Sequence, residues 1–301
     1  MPLNNFVLTV IGAGALGSEV LQKISGRGFG VVRAIDGDIV TEKNKLNQPL
    51  YSGVDTSNPV YKSDAIVSLL SNGSKTNFVS VPEYVGEKRA SSLIGGSSMV
   101  LDFTDNTFSR LVINQACVEK GIPLLIASVN EKEGFYYIID KGACFNCLYR
   151  NLSGKIKEGC YGAPLHVPDN FSSMIADAAE SFFSGAVEGD WVSSSFTDGR
   201  VTKTAIKKDG MCEVCSLHEH KPIKADGFIQ ICGDGIKFSL QRDINLKTLF
   251  GDEPGAIIEN GICVIKSGTK SILLSSAGDV LFTGYSEQEA RKFISERLFG
   301  A

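Results

Sequence analysis

Residues 6–17 read FVLTVIGAGALG, an apolar run that opens into a glycine-rich turn. The run has the length and composition of a buried strand, and residues 18–24 after the turn have helical spacing. Strand, turn and helix in this order are the setting in which a Gly-x-Gly-x-x-Gly motif binds a nucleotide phosphate. We expect Gly12 to permit the tight turn, Gly14 to let the backbone approach a phosphate, and Gly17 to let helix and strand pack closely. A glycine turn without a ligand is the alternative, since the motif alone names no reaction.

The bulk composition describes an ordinary globular chain. It has 301 residues, of which 43% are hydrophobic and 21% charged, and a formal net charge of −4. Such a chain has ample core, and its charge gives no basic footprint, so nucleic acid is not an expected partner. No apolar run approaches the roughly 20 residues that span a membrane, and the N-terminus lacks the features of a signal peptide. We therefore expect a cytoplasmic protein without a membrane partner.

Four of the eight cysteines form two Cys-x-x-Cys pairs that are far apart in the sequence. The pairs are Cys144 with Cys147 and Cys212 with Cys215. In a cytoplasmic chain such pairs are metal ligands more often than disulfides. Two pairs that close one tetrahedral site predict structural zinc with no open position for chemistry. The alternative, that each pair is a separate redox motif, stays open at this point.

Polar residues follow several predicted strands. Apolar runs predict further strands at residues 31–35, 98–101 and 123–127. Asp36 ends the first of these, about 20 residues past the glycines, where such folds bind a ribose hydroxyl. Lys62 precedes a helical stretch, and residues 102–106 read DFTDN. Alternating strands and helices predict an α/β fold with a Rossmann-like, doubly wound, mostly parallel sheet.

In this order the motifs resemble those of the ThiF/MoeB/HesA family of ubiquitin-activating-type adenylating enzymes. The family pattern joins the glycine turn, D-x-D-x-V-x-x-x-N at residues 36–44, a lysine before a helix, D-x-T-D-N and two Cys-x-x-Cys pairs. The resemblance covers residues 6–216. It implies an ATP-binding adenylating domain over residues 1–216, with the four-cysteine zinc site and a crossover segment at about 151–209.

The resemblance also assigns roles to residues. It implies that Asp105 is the magnesium ligand, that Lys62 is the cation on the ATP phosphates, and that Cys160 can accept the activated carrier. The residues that it places around the nucleotide are Gly12, Gly14, Ala15, Gly17, Asp36, Asp38, Asn44, Lys62, Asp105 and Asn106. Without the family context, Lys62 would be a surface lysine, Asp105 and Asn106 a helix N-cap, and Cys160 a small buried apolar residue.

Two departures from the family pattern concern arginines. The family usually has an arginine where this chain has Asn47, and its N-terminal segment carries an arginine that reaches into the partner subunit. Only residues 1–5 precede the first predicted strand. We expect the missing cation to come from a partner protein, from Arg33 or from Arg110.

The remaining segments are less like the family. Residues 169–186 predict a helix with one apolar face for core or subunit packing, and residues 188–200 predict an irregular surface loop. Residues 217–301 predict a small α+β appendage with several strands, ending in a helix that Ser286 and Glu289 start as a capping box. We expect this appendage to bind a partner or to pack on the adenylating domain.

The sequence therefore predicts ATP-dependent adenylation of the C-terminal carboxylate of a ubiquitin-like or sulfur-carrier protein ending in Gly-Gly, with release of pyrophosphate. ATP, magnesium and zinc are the expected cofactors, a thiol is the expected acceptor, and a conjugating enzyme or sulfur donor is a further partner. Homodimer and heterodimer both stay open. The alternatives are a peptide-modifying adenylating enzyme of antibiotic maturation and a catalytically reduced partner subunit. An NAD-dependent oxidoreductase is more remote, because it has no use for Lys62, Asp105 or the cysteine pairs.

Overall fold

The computed structural model describes residues 2–152, 167–185, 190–219, 228–231, 235–240 and 242–299. The contacts divide the chain into two compact units. The first contains the residues up to Val54 and from Tyr61 to Ile223, and the second contains Asp55–Val60 and the residues from Lys224 onward. Among the described residues, every helix is too short or too polar to cross a membrane.

The first unit alternates strands with helices. Its strands are β1 (Val7–Ile11), β2 (Val31–Ile35), β3 (Asn77–Val81), β4 (Met99–Asp102), β5 (Leu124–Val129), β6 (Glu133–Ile139), β7 (Asp190–Ser195) and β8 (Val201–Ala205). Its helices are α1 (Ala15–Ser25), α2 (Glu42–Asn47), α3 (Lys62–Ser71), α4 (Glu87–Leu93), α5 (Thr107–Lys120), α6 (Phe145–Leu152) and α7 (Asp169–Phe182). Short 3-10 helices lie at Leu3–Asn5 and Pro49–Tyr51.

The strands of the first unit form one sheet in the order β3-β2-β1-β4-β5-β6-β7-β8. The pairs from β3 to β5 are parallel, and those from β5 to β8 are antiparallel. The chain runs outward from β1 to β3 and then returns to place β4 on the other side of β1. Loops that leave the carboxyl ends of β1 and β4 therefore diverge, which is where open α/β sheets bind ligands. The predicted Rossmann-like, mostly parallel sheet is confirmed.

Apolar faces explain the placement of the helices around this sheet. Helix α1 buries Val20, Leu21 and Ile24 and contacts α7. Helix α7 is the predicted amphipathic helix, and it buries Phe171 and Ile175. The apolar stripe of α7 therefore serves the core of the first unit.

Strand β7 corrects the expectation of an irregular surface loop over residues 188–200. In β7 every second side chain is buried, beginning with Val192, and the ring of Trp191 stacks on that of Phe135 with centroids 3.9 Å apart. The serines hid this alternation, because a polar residue on a buried strand face breaks the apolar pattern. Residues 186–189 lie outside the described residues.

The second unit is a six-stranded antiparallel sheet in the order β11-β12-β13-β14-β10-β9. Its strands are β9 (Phe228–Ile231), β10 (Gly235–Ser239), β11 (Ala256–Glu259), β12 (Ile262–Ser267), β13 (Lys270–Ser275) and β14 (Asp279–Thr283), and its helices are α8 (Leu246–Phe250) and α9 (Glu287–Arg297). Helix α9 starts with the predicted capping box of Ser286 and Glu289. Its Ala290 and Ile294 are buried in a core with Phe282. Strand β11 and helix α8 had no counterpart in the sequence prediction.

Candidate nucleotide site and cysteine cluster

The glycine turn connects β1 to α1 in a way that two of its glycines make possible. Gly12 has φ +93°, and a Cβ atom there would lie 2.9 Å from the carbonyl oxygen of Phe103. A Cβ on Gly17 would lie 1.9 Å from the carbonyl oxygen of Gly12. A Cβ on Gly14 would meet no atom within 4 Å, and no side chain caps α1 at this residue. Gly12 and Gly17 are thus required by packing, while Gly14 leaves open space before the N–H groups of α1, where an anion is favoured.

Asp36 braces this turn from the end of β2. Its carboxylate accepts hydrogen bonds from the backbone N–H of Ala13 at 2.7 Å and of Asp38 at 2.8 Å. The hydroxyl of Tyr51 donates to the carbonyl oxygen of Ala13 at 2.8 Å from the other side. Burial raises the pKa of Asp36 to about 6, although Lys62 acts in the opposite direction. The Asp36 carboxylate therefore holds the backbone of the turn.

Lys62, the first residue of α3, carries a buried ammonium. Its Nζ donates to Asp38 Oδ2 at 2.9 Å, and the hydroxyl of Tyr84 donates to Asp38 Oδ1 at 2.5 Å. Burial by itself lowers the pKa of Lys62, but the charges of Asp38 and Asp36 outweigh burial and raise it, and Asp105 adds to this. Lys62 is thus a permanent cation next to the glycine turn. We call Gly12–Gly17, Asp36, Asp38 and Lys62 the glycine-turn site.

The end of β4 brings a second acidic segment to the same edge of the sheet. Asp102 is fully buried, and one of its carboxylate oxygens accepts from the N–H of Thr104 at 2.8 Å and from its hydroxyl at 2.6 Å. Asp105 is exposed. Asn106 caps α5, since its side-chain oxygen accepts from the N–H of Ser109 at 2.8 Å. Asp105 therefore lies exposed in the loop between β4 and α5, and Asn106 next to it caps the helix.

The other predicted site residues lie in different settings. Asn44 takes part in a capping box at the start of α2, where its side-chain oxygen accepts from the N–H of Thr41 at 2.9 Å. Arg33 donates to the carbonyl oxygens of Leu93 and Gly95, which precede β4, so it lies toward the amino ends of the strands. The expectation that Arg33 supplies the missing cation is thus not supported, because the site lies at the carboxyl ends.

Arg110, the second candidate for the missing cation, is hydrogen-bonded to backbone carbonyl oxygens. Its guanidinium donates to the carbonyl oxygen of Thr104 at 2.6 and 3.0 Å and to that of Ala127 at 3.1 Å. It therefore ties the β4 loop to β5. Cys160 lies outside the described residues.

Two tyrosines of the site were missed by sequence reasoning. Tyr51, in the 3-10 helix Pro49–Tyr51, reaches Ala13, and Tyr84, in the loop after β3, reaches Asp38. They lie 38 and 46 residues further along the chain than their partners. Neither belongs to a motif with a fixed spacing, so no sequence signal could have found them.

The four predicted metal ligands come together, and we call Cys144, Cys147, Cys212 and Cys215 the cysteine cluster. All four are buried, and their sulfur atoms lie within 4.8 Å of one another. The distance from Cys144 to Cys212 is 3.7 Å between sulfurs, and that from Cys147 to Cys215 is 3.4 Å. Burial raises the pKa of Cys147 to about 11 and that of Cys144 further. A cation is needed to hold several of these thiols as thiolates.

Helix α5 connects the two regions of the first unit. Its first turn follows Asp105, and its buried Asn114 accepts a hydrogen bond from the N–H of Phe145 at 2.9 Å. Phe145 follows Cys144 directly. The exposed Arg150 of α6 donates to the carbonyl oxygen of Met211 at 3.1 Å, beside the second cysteine pair. The cysteine cluster therefore joins the segment around residue 212 to the sheet through α5 and α6.

The sheet order and the glycine turn at the switch point define an α/β protein of the nucleotide-binding Rossmann class. The model of the ThiF family matches residues 2–161, more than half of the chain. The chain belongs to the ThiF family.

Known proteins of two kinds are similar to the chain. The adenylyltransferase and sulfurtransferase UBA4 of Yarrowia lipolytica is 33% identical over 147 residues, which are 47% of this chain and 36% of that protein. The molybdopterin-synthase adenylyltransferase of Salmonella typhimurium is 25% identical over 215 residues, 68% of this chain and 85% of that protein. A crystal structure of E. coli MccB with MccA-N7isoASN has a TM-score of 0.59 at 16% identity, covering 71% of this chain and 68% of that one. This last likeness concerns the fold alone.

The match spans about a third of the length of several curated relatives, among them UBA4 and the mouse adenylyltransferase and sulfurtransferase MOCS3. What those whole proteins do is therefore a guide to a proposal for this chain.

Proposed function

We propose that this chain adenylates the C-terminal carboxylate of a ubiquitin-like or sulfur-carrier protein, using ATP and releasing pyrophosphate. The observation that carries the proposal is the buried ammonium of Lys62, bonded to Asp38 at 2.9 Å beside the glycine turn. A hydride-transferring enzyme needs the turn but not this cation. The adenylyltransferase names of the sequence relatives point the same way.

The proposed chemistry explains why the site needs a cation. The carrier carboxylate attacks the α-phosphorus of ATP, an acyl–phosphate bond forms, and the bond to the pyrophosphate oxygen breaks. Two anions must approach each other, so positive charge has to be placed around the phosphates. The N–H groups of Gly14 and Ala15 and the ammonium of Lys62 would supply it, and Asp36 would in addition bind the ribose.

Asp105 is the residue proposed to hold magnesium. A carboxylate is the hard oxygen ligand that this ion takes, and Asp105 is exposed in the loop after β4, at the carboxyl ends of the parallel strands. When bound, the ion would neutralise phosphate charge.

We propose zinc for the cysteine cluster. A tetrahedral zinc with Zn–S bonds of about 2.3 Å has sulfurs about 3.8 Å apart, close to the 3.7 and 3.4 Å seen here. Four cysteines fill the coordination sphere, so the site would be structural.

The later steps concern the acceptor and the partners. In the proposal a thiolate, that of Cys160 or of another protein, attacks the acyl adenylate, forms a thioester and expels AMP. The expected carriers end in Gly-Gly, and residues 217–301 are the proposed surface for a conjugating enzyme or sulfur donor.

ATP–pyrophosphate exchange by the purified full chain tests the proposal. Exchange should depend on a carrier ending in Gly-Gly and fall at least about 100-fold in Asp105→Ala, because a metal ligand is lost. Asp140→Ala, which removes another exposed carboxylate, is the matched control and should exchange normally. Cys160→Ala should keep exchange and lose only a thioester with the carrier.

The opposite results are equally informative. A folded, metal-loaded protein that exchanges with no carrier would be a catalytically reduced partner subunit. Carrier-independent binding of NAD in preference to ATP would revive the oxidoreductase alternative.

A further inference from the structure

Tyr84 reaches the glycine-turn site although it lies in the loop after β3 and belongs to no motif. Its hydroxyl donates to Asp38 Oδ1 at 2.5 Å, while Asp38 Oδ2 accepts from Lys62 Nζ at 2.9 Å. The two oxygens of one carboxylate thus connect a phenol to the cation that the proposed reaction uses.

The position of Tyr84 is fixed by packing against backbone. A Cβ atom on Gly37 would lie 2.6 Å from Cδ2 of the Tyr84 ring and 2.7 Å from its Cγ. The ring therefore occupies the space over Gly37 that any other residue would fill. Because Gly37 lies between Asp36 and Asp38, the ring also sits against the segment that braces the glycine turn.

Lys62 and Asp38 are tied together by their backbones as well. The N–H of Lys62 donates to the carbonyl oxygen of Asp38 at 2.8 Å. The start of α3 is therefore held, and the freedom that remains is that of the Lys62 side chain and of the Asp38 carboxylate. Rotation of that carboxylate would carry the ammonium with it, and the hydrogen bond from the Tyr84 hydroxyl to the other oxygen opposes this rotation.

We propose that Tyr84 is a positioning residue that sets the place of the Lys62 ammonium through the carboxylate of Asp38. The inference rests on the proposed function for its kinetic consequence, but its structural part concerns the chain without nucleotide. Tyr84 does not touch the reacting atoms in this proposal. It acts by keeping one carboxylate orientation, so that Lys62 needs no rearrangement when phosphates bind.

The structural part is tested by NMR on the full chain labelled with 13C-lysine, without nucleotide. The ε-methylene signal of Lys62 is assigned by its loss in Lys62→Met. Tyr84→Phe keeps the ring over Gly37 and removes only the hydroxyl, and it should move the Lys62 signal while the other lysine signals stay. Tyr285→Phe, which removes a hydroxyl in the second unit, is the control and should leave Lys62 unmoved. An unmoved Lys62 signal in Tyr84→Phe would overturn the proposal.

The kinetic part uses carrier-dependent ATP–pyrophosphate exchange. Tyr84→Phe should lower kcat about fivefold to tenfold and change the KM for ATP less than about twofold, because positioning matters most in the transition state. In the Lys62→Met background, Tyr84→Phe should cause no further loss, since its effect passes through Lys62. A full additional loss there, or normal exchange despite a moved Lys62 signal, would contradict the proposal. If the unaltered protein shows no exchange, the proposed function fails, and the NMR result alone decides whether Tyr84 places Lys62.

Discussion

The glycine-turn site and the cysteine cluster are two polar regions of the same unit. Their polar side chains have different kinds of partners. At the glycine turn, Asp36 accepts two backbone N–H groups, and Lys62 is paired with Asp38. In the cysteine cluster the four sulfur atoms lie within 4.8 Å of one another. The first region pairs its charged groups with protein atoms, whereas the second presents four thiols that the proposed zinc would bind. The first should therefore keep its shape without ligand, and the second should not keep its shape without metal.

Loss of a metal ligand should give the largest effect. Cys212→Ser should abolish binding of one metal ion per chain and lower the free energy of unfolding of the first unit by an amount on the order of 5 kcal/mol, because metal binding is coupled to folding. Metal content by elemental analysis and unfolding followed by fluorescence of Trp191, the single tryptophan, are the measurements. Cys117→Ser, at a buried cysteine of α5 outside the cluster, should keep the metal. A metal-free Cys212→Ser protein of unchanged stability would remove the contrast between the two regions.

Substitutions at two glycines of the turn allow the effect on packing to be measured apart from the effect on ligand binding. Gly17→Ala places a methyl group 1.9 Å from the carbonyl oxygen of Gly12 and should cost about 3 kcal/mol of stability. Gly14→Ala meets open space, so its stability should change by less than about 0.5 kcal/mol. Its ATP affinity, measured by calorimetry, should nevertheless fall about tenfold, because the methyl group occupies the proposed phosphate position. Equal stability of both variants would show that the turn relaxes more freely than its contacts indicate.

Asp36 tests whether the glycine-turn site is held by charge or by hydrogen bonds. In Asp36→Asn one backbone N–H, of Ala13 or of Asp38, faces an amide NH2 group, which should cost about 2 kcal/mol at pH 7. Denaturant unfolding followed by Trp191 fluorescence measures this cost.

The pH dependence of that cost has a definite sign. Burial raises the pKa of Asp36 to about 6, so the unfolded chain releases this proton at a lower pH than the folded chain. The stability from this group is present below about pH 4 and is lost as the pH rises to 6. The difference in the free energy of unfolding between the natural protein and Asp36→Asn should therefore become smaller from pH 4 to pH 6. If this difference instead grows with pH, the charge of Lys62 has a larger effect on the pKa of Asp36 than burial has.

How well the sequence predicted these regions depends on how far apart the interacting residues lie along the chain. Strand β1, the glycine turn and α1 are adjacent in the chain, and their pattern is local. The two cysteine pairs are 68 residues apart, but ligand chemistry linked them without structural information. The prediction of a surface loop over residues 188–200 was wrong, because the serines of β7 break the apolar pattern of a strand whose buried face forms only when β7 pairs with β6. Tyr51 and Tyr84 could not be predicted, since their hydrogen bonds join segments that meet the ends of β1 and β2 only in the folded chain.

Two buried tyrosines allow the smallest and most direct comparison of the regions. The hydroxyl of Tyr51 donates to the carbonyl oxygen of Ala13 at 2.8 Å in the glycine turn. That of Tyr137 donates to the carbonyl oxygen of Ala143 at 2.7 Å, just before Cys144. Each Phe variant loses one hydrogen bond and leaves a buried carbonyl without its side-chain donor, so each should cost about 1 kcal/mol in the metal-loaded protein.

Removal of the metal should then affect the stability costs of the two variants differently. The Tyr51→Phe cost should persist after chelation, because the glycine turn is held by Asp36 and not by an ion. The Tyr137→Phe cost should disappear, because the carbonyl oxygen of Ala143 has no fixed place once the cysteine cluster opens. Unfolding curves of the two variants with and without chelator give the four numbers required. If the Tyr137→Phe cost survives chelation, the backbone of the cysteine cluster is held by the contacts of α5 and α6, and the ion only adds to a structure that is already formed.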